Sequence, residues 1–204
     1  MLSLAPSLAN LPFRGSRNYL HSTDLYPALT EFAKKQFSPD ADIECLTIRQ
    51  VISHQVRVNF DGPSGAFGSF RIRHGTCHTK GWLVETDEPI SSRIPFDEAT
   101  PMQAAVSGPG FALFKKLLPQ YSAFESLIVL TKIVASQESA EHWWFCRIEF
   151  QSPLREIAPL ECKLDQNISY RFLRFHIYQA GQAIGSVSSI IGPAPNLSVQ
   201  RSNP

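Results

Sequence analysis

Two segments near the end of the chain decide the predicted fold, FCRIEFQSPLREIAPLECKL at residues 145–164 and YRFLRFHIYQAGQAIGSVSSIIG at residues 170–192. Apolar and polar residues alternate along much of both segments, as in strands that bury one face. We therefore expect an antiparallel sheet from residue 143 onward. The predicted elements are strands at Trp143–Phe150, Leu160–Leu164, Tyr170–Tyr178 and Ala183–Ile191, with a hairpin turn at Gln179–Gln182 between the last two.

Near the beginning of the chain, the pattern changes to that of a helix. We predict it from about Ser22 to Phe37, where Ser, Thr and Asp are available as the N-cap and Pro27 fits the first turn. Pro39 ends the helix, because the residue before a proline is disfavoured in the helical conformation. This helix is predicted to precede a first group of strands.

The second half is predicted to repeat this order of a helix and then strands. Strands of the first half are expected within Ile43–Phe60 and Ser69–Thr86. The run from about Met102 to Leu118 is almost wholly apolar, which predicts a buried helix that is approached through Gly108-Pro109-Gly110. The next strand is predicted at Ser126–Val134.

An alignment of the two halves supports an internal duplication, with coincidence of residue types as the alternative. The aligned pairs are Lys34-Lys35 with Lys115-Lys116, Glu44 with Glu125, Leu46 with Leu127, and, after one insertion, residues 51–55 with 133–137. In the same register, His21, Asp24 and Glu31 fall on Met102, Ala105 and Ala112. Polar candidates would then belong to the first copy and an apolar pocket to the second.

Composition excludes several classes of protein. A formal net charge of +1 gives no electrostatic attraction to nucleic acid. No segment has the roughly 18 consecutive apolar residues that a membrane span needs, and the first 20 residues lack the layout of a secretory signal. Four widely spaced cysteines without a CxxC pair favour a reducing compartment. We expect a soluble, cytoplasmic protein.

No cofactor and no metal are expected. No glycine-rich phosphate-binding fingerprint follows a predicted strand. The segment from His74 to His78 includes Cys77, and these are zinc-ligand types, but along one strand the cysteine points away from the face that the histidines share.

The order of elements over Trp143–Gly192 resembles the closing half of a hotdog module, as in acyl-thioester dehydratases and hydratases. The resemblance lies in a strand ending in a polar residue and Pro, a loop, a long strand, a turn and a final strand. It implies an α+β fold of two tandem hotdog modules, each a long helix wrapped by a curved antiparallel sheet. The modules would span residues 13–92 and 93–192, between an N-terminal arm (1–12) and a flexible tail (193–204).

The same resemblance implies a function. Such proteins process acyl groups held as thioesters on acyl carrier protein or coenzyme A, and dehydration or hydration of a 3-hydroxyacyl chain is the leading expectation. A thioesterase and a non-catalytic acyl-binding module are the alternatives, and a homodimer is possible. The family motifs do not transfer directly, since no HFPG-like loop is present and His21 precedes Asp24.

The residues before and within the first helix concentrate the candidate chemistry. His21 could act as a general base, because an imidazole with a pKa near 6.5 is largely neutral at cytoplasmic pH. Asp24 could orient that imidazole or protonate a leaving hydroxyl. The alternative is that His21 lies on the surface and that the polar residues after it only cap the helix. The predicted substrate-binding residues are Asn18, Tyr19, Ser22, Glu31, Gly108 and Gly110.

Overall fold

The structure is a computed structural model that describes residues 7–8, 10–169 and 171–192. The predicted tail, 193–204, and most of the predicted arm, 1–12, lie outside the described residues. Within the described part of that arm, Leu8 and Leu11 are buried in the core, and the Leu8 N–H donates to the carbonyl of Val56 at 3.0 Å.

Three helices and twelve strands form the described chain. The helices are α1 (Ser22–Gln36), α2 (Ala99–Ala104) and α3 (Ala123–Glu138). The strands are β1 (Phe13–Arg14), β2 (Asp42–Ile48), β3 (His54–Asn59), β4 (Ala66–His74), β5 (Cys77–Pro89), β6 (Arg93–Ile94), β7 (Val106–Gly108), β8 (Phe111–Phe114), β9 (Trp143–Phe150), β10 (Leu160–Ile168), β11 (Phe172–Gln179) and β12 (Gln182–Ile191).

Ten of these strands form one antiparallel sheet. Its order is β3-β5-β4-β2-β9-β12-β11-β10-β8-β7. The two halves meet where β2 pairs with β9, with Leu46 opposite Ile148. Beside this sheet, β1 and β6 form a parallel pair. The predicted α+β class, with a large antiparallel sheet and few helices, is confirmed.

The two long helices carry much of the core. In α1, Leu25, Leu29 and Ala33 are fully buried, at the spacing of one helical face. Helix α3 is buried on most sides and presents few polar residues until its last turn. Each helix is followed directly by a central strand, α1 by β2 and α3 by β9. Within the described residues, no helix is long and apolar enough to cross a membrane.

Several predicted elements are confirmed. The helix at Ser22, the strands that follow it and the strands from Trp143 onward lie where the patterns place them. The predicted hairpin turn connects β11 and β12, and its residues Ala180 and Gly181 both have positive φ angles, as a tight two-residue hairpin requires.

Two predictions in the second half are wrong. The predicted helix from Met102 to Leu118 is instead the end of α2 and the hairpin β7–β8, and the predicted strand at Ser126–Val134 lies inside α3. Helix α3 misled the prediction because burial on most sides removes the alternation of apolar and polar faces, and its apolar, partly β-branched run resembles a buried strand.

The predicted alignment of the halves is wrong in its register. It places α1 on α2 and the β7–β8 hairpin, whereas the long helix of the second half is α3. Counting from the helix starts, His21 corresponds to Ser122 and Asp24 to Glu125. The strand order also differs between the halves, since β2 is followed outward by β4, β5 and β3, but β9 by β12, β11 and β10.

Candidate functional site

The start of α1 is closed by a capping box. Asp24 Oδ2 accepts the backbone N–H of His21 at 2.7 Å, and the Thr23 N–H donates to His21 Nδ1 at 3.4 Å. Ser22, Thr23 and Asp24 are all buried. The first residues of α1 therefore form a buried polar cluster, and His21 is the N-cap of the helix.

The start of α3 has the same arrangement with different residues. The Glu125 N–H donates to Ser122 Oγ at 3.2 Å, and Glu125 Oε2 accepts the Ser122 N–H at 2.8 Å. A second carboxylate joins it, because Glu156 Oε2 accepts the Ala123 N–H at 2.8 Å. Negative charge at a helix N-terminus is favourable, since the first N–H groups carry a partial positive charge.

Arg14 connects the two helix starts. Its Nε lies 2.6 Å from Asp24 Oδ1, and its Nη1 donates to Glu125 Oε1. The guanidinium lies over the ring of Phe96, 5.4 Å from the centroid. Gly15, which follows in the left-handed conformation at φ +58°, turns the chain after β1. One planar cation thus holds a carboxylate from each helix.

A second chain of charges lies beside the first. Arg17 forms an ion pair with Glu98, and Glu98 Oε2 accepts from Lys132 Nζ at 2.8 Å. Arg17 also lies over Phe96, at 5.3 Å. Lys132 lies on α3, and its ion-pair partner Glu98 directly precedes α2. Arg17, which pairs with Glu98, lies shortly before the start of α1.

Between α1, α3 and the sheet lies a cavity of about 20 Å³, which we call the His21 cavity. A volume of this size holds about one water molecule. The buried Nε1 of Trp143 has no hydrogen-bond partner within the described part of the chain. The lining residues are His21, Ile128, Thr131, Lys132, Ala135, Trp143, Phe145 and Ser189.

Burial and neighbouring cations set the charges around the cavity. Burial first, and then Lys132 and Arg17, lower the pKa of His21 well below its usual value, so the imidazole is neutral at pH 7. Burial and Arg17 lower the pKa of Lys132 to about 8. Burial raises the pKa of Asp24, and the His21 N–H and Arg14 oppose that shift.

The neutral imidazole has two possible tautomers, because Nδ1 lies close both to a hydrogen-bond donor and to hydroxyl groups that can accept a hydrogen bond. It accepts from the Thr23 N–H when the ring proton is on Nε2. It can instead donate to Thr23 Oγ1 at 3.2 Å or Ser22 Oγ at 3.3 Å, which leaves a lone pair on Nε2. Only the second tautomer presents a base at Nε2.

The structure brings some predicted site residues together and separates others. Ser22 lies beside the imidazole, and Tyr19 packs edge-on against Trp144 with centroids 5.7 Å apart. Burial raises the pKa of Tyr19. Asn18 Oδ1 accepts from Arg93 Nη2 at 2.8 Å.

Three predicted substrate-binding residues do not line the His21 cavity. Glu31 is exposed on α1 and pairs with Lys35. Gly108 and Gly110 lie in the β7–β8 hairpin, where the Gly110 N–H donates to Gln137 Oε1 near the C-terminal end of α3.

A larger groove of about 1020 Å³ lies on the other side of the two helix starts. Its walls are α1, the Pro39–Asp42 segment, the start of α3 and the Pro153–Glu156 loop. Tyr26 and Phe124, which line it, are stacked with centroids 3.9 Å apart. Phe124 in turn contacts Phe145, which lines the His21 cavity. Aromatic rings therefore lie between the groove and the cavity.

Sequence reasoning missed the residues of this site that lie outside the segment from Asn18 to Asp24. Arg14, Glu125, Lys132 and Trp143 carry no local motif that marks them as reactive. One signal was present, since Ser122-Ala-Phe-Glu125 is a capping-box sequence and predicts a helix start.

No protein-family model matches the chain, and no curated protein matches it in sequence. Among solved structures, the dehydratase domain of PpsC from Mycobacterium tuberculosis, in complex with C12:1-CoA, is 13% identical over 93% of this chain and 90% of that one, with a TM-score of 0.48. An erythromycin dehydratase is 10% identical, with 91% and 85% covered and a TM-score of 0.48. A thioesterase II from Thermobifida fusca is 8% identical, with 87% and 88% covered and a TM-score of 0.46. No activity is transferred to this chain at these values.

Proposed function

We propose that the protein processes an acyl group held as a thioester on acyl carrier protein or coenzyme A, by removing water from a 3-hydroxyacyl chain or adding it to the enoyl product. We further propose that the fold is a tandem pair of hotdog modules, with α1 and α3 as their long helices. The equivalent capping boxes and the central β2–β9 pairing support this second proposal.

One observation carries the functional proposal. A neutral imidazole at the start of α1 lines a water-sized cavity together with polar groups from α3 and the sheet. An imidazole must be uncharged to accept a proton, and burial keeps His21 in that form. Apolar and aromatic side chains, among them Ile128 and Phe145, form part of its lining.

His21 would remove a proton from C2 of the acyl chain, next to the thioester carbonyl. The C2–H electron pair becomes the C2–C3 double bond, and the hydroxyl on C3 leaves with one added proton as water. Nε2 receives the C2 proton when Nδ1 donates to Thr23 Oγ1. Hydration is the reverse of these steps.

Asp24 supports this arrangement through the backbone of His21. One carboxylate oxygen accepts the backbone N–H of His21, and the other pairs with Arg14. We propose that Asp24 positions His21 through the backbone. The acid role that the sequence suggested for Asp24 would require the carboxyl group to leave Arg14. Tyr19 and Ser22 are proposed as contacts of the thioester beside the imidazole.

The test is a panel of 3-hydroxyacyl, enoyl and saturated acyl thioesters on both carriers, followed by intact mass. We expect loss or gain of 18 Da, the mass of water, from the hydroxyacyl or enoyl substrates. Replacing His21 by Ala is expected to lower turnover about 100- to 10,000-fold, the usual contribution of a general base. Release of free acid would instead indicate a thioesterase.

The groove supports a second candidate, a non-catalytic acyl-binding module. Its volume matches ligand pockets, and Tyr26 and Phe124 give it an apolar floor. This candidate predicts a stable complex with an acyl thioester and no change in acyl mass. Binding that persists in the His21→Ala variant, without turnover by the unmodified protein, would favour it.

A further inference from the structure

We propose that the His21 cavity is a subsite for one oxygen atom, the oxygen lost or gained as water, and that Lys132 is the acid that protonates this oxygen during dehydration. The inference rests on the proposed function and names the catalytic group that the sequence did not reveal. In hydration, the same cavity would hold the water that adds to C3.

The size and the donors of the cavity carry the inference. At about 20 Å³ it accommodates one oxygen and little more. Trp143 lines it and has a buried Nε1–H without a partner in the residues that the structure describes. A buried donor without an acceptor is costly, so we infer that an oxygen held in the cavity accepts from this N–H.

Lys132 is held in a position to act on that oxygen. Its ammonium donates to Glu98 at 2.8 Å, and Glu98 is in turn paired with Arg17. This chain of ion pairs fixes the long side chain at the edge of the cavity. His21 and Lys132 thus approach one small volume from two different helices, as removal of a proton from C2 and protonation of the group on C3 require.

The proton balance of the step is complete. The Lys132 ammonium gives one proton to the leaving hydroxyl, which departs as water, while His21 takes one proton from C2. The protein then carries a neutral amine and an imidazolium, and transfer of one proton from His21 to Lys132 restores both. No oxidant, reductant or metal takes part in this step.

The titration of Lys132 supports the assignment and gives it a pH signature. Burial and Arg17 place the pKa of Lys132 at about 8, so the ammonium is present at pH 7 and lost above pH 8. The other groups facing it are Glu98, which pairs with it, and His21 and His142, each of which has its pKa lowered by burial and by Lys132. Turnover should therefore decline above about pH 8.

The experiment compares dehydration of a 3-hydroxyacyl thioester by the full chain and three variants, from pH 5.5 to 10. Lys132→Met is expected to lower turnover about 100-fold or more and to remove the decline above pH 8. Lys132→Arg keeps the charge and the pairing with Glu98 but does not release a proton in this range. We expect the same loss, which separates proton transfer from electrostatic support.

Trp143→Phe keeps an aromatic ring, although a smaller one, and removes the N–H, so we expect a two- to tenfold loss, roughly the contribution of one hydrogen bond. Lys163→Met is the matched control, because Lys163 is also ion-paired, with Glu161 at 3.2 Å, but lies on β10. Its turnover should equal that of the unmodified protein. Urea denaturation of each variant checks the fold.

The outcomes separate this inference from the proposed function. Turnover by Lys132→Met or Lys132→Arg within about threefold of the unmodified protein, with His21→Ala inactive, would overturn the role of Lys132 and leave the function standing. A decline above pH 8 that survives in Lys132→Arg would overturn it as well. Absence of any change in acyl mass with the unmodified protein would overturn both.

Discussion

The starts of α1 and α3 are built on one plan and differ in one residue that matters for chemistry. Each is a capping box whose acid, Asp24 or Glu125, also binds Arg14. The N-cap of α3 is Ser122, among the residue types most favoured there, whereas α1 has His21. Ser, Thr, Asp and Asn cap helices well, so local stability alone does not account for a histidine.

The histidine at the N-cap of α1 is therefore a residue that the usual preferences for helix capping do not explain. Departures of this kind are expected at functional sites, because a strained or less stable choice persists only when something else maintains it. The α3 start stabilises the fold, with a further carboxylate from Glu156. The α1 start presents a neutral imidazole to a cavity instead.

The largest expected effect comes from removing the cation that the two starts share. Arg14→Gln leaves Asp24 and Glu125 as buried carboxylates without the cation that they share. Loss of one member of a buried ion pair costs about 3–5 kcal/mol, so we expect the free energy of unfolding in urea to fall by about that amount at pH 7.

The matched control for this variant is Arg147→Gln. Arg147 pairs with Glu149 at 2.5 Å, but both side chains are about two-fifths exposed, at 44% and 40%. Exposed pairs contribute about 0–1 kcal/mol. A loss of less than about 1 kcal/mol in Arg14→Gln would contradict the view that Arg14 joins the two helix starts.

The second prediction makes the two N-caps the same. His21→Ser gives α1 the N-cap residue of α3, so the free energy of unfolding should be unchanged or higher by up to about 1 kcal/mol. Turnover should nevertheless fall about 100- to 10,000-fold, since serine at this position is not a base near neutral pH. Denaturation in urea and the thioester assay on one preparation measure both.

A variant that is less stable and fully active would show that His21 serves the fold. Ser122→Ala provides the comparison at the other start, where only stability should change. We expect a loss of about 1 kcal/mol there, as is usual when a capping side chain is removed.

The same comparison explains how much of the molecule the sequence reveals. The α1 start was predictable because Ser22-Thr23-Asp24 precedes an amphipathic run that ends before a proline. The strands after Trp143 were predictable from their alternation. Helix α3 was not, because a helix buried on most sides has no polar face to mark its period. The halves were consequently aligned in the wrong register.

The site was predictable only in its local part. His21 and Asp24 are close in sequence and were selected together as candidates. Arg14, Lys132 and Trp143 reach the same region through long-range contacts that no spacing encodes. The pairing of Arg14 with Glu125, for example, spans 111 residues. Correct alignment of Ser122 with His21 would have indicated two related helix starts, but not the cation between them.

A third prediction concerns the tautomer of the imidazole. Thr23→Val removes the hydroxyl that accepts from Nδ1 at 3.2 Å and keeps the backbone N–H that donates to it. The ring proton should then favour Nε2, which lowers the fraction of His21 that can act as a base. We expect about a tenfold loss of turnover, corresponding to one hydrogen bond of about 1.4 kcal/mol. Nitrogen-15 NMR of the imidazole reports the tautomer, and an unchanged spectrum with unchanged turnover would show that Ser22 suffices as the acceptor.

The smallest expected effect tests whether the α3 start acts independently of the α1 start. Glu156→Gln keeps an acceptor for the Ala123 N–H but removes its charge. The interaction of one charge with a helix N-terminus contributes about 0.3–1 kcal/mol, so the free energy of unfolding should fall by that amount. The NMR signals of His21 should not move, because Glu156 contacts only the α3 start among the hydrogen bonds of the described residues. A shift of those signals would mean that Arg14 transmits changes between the two starts, and the α3 start would then have a part in setting the tautomer of His21.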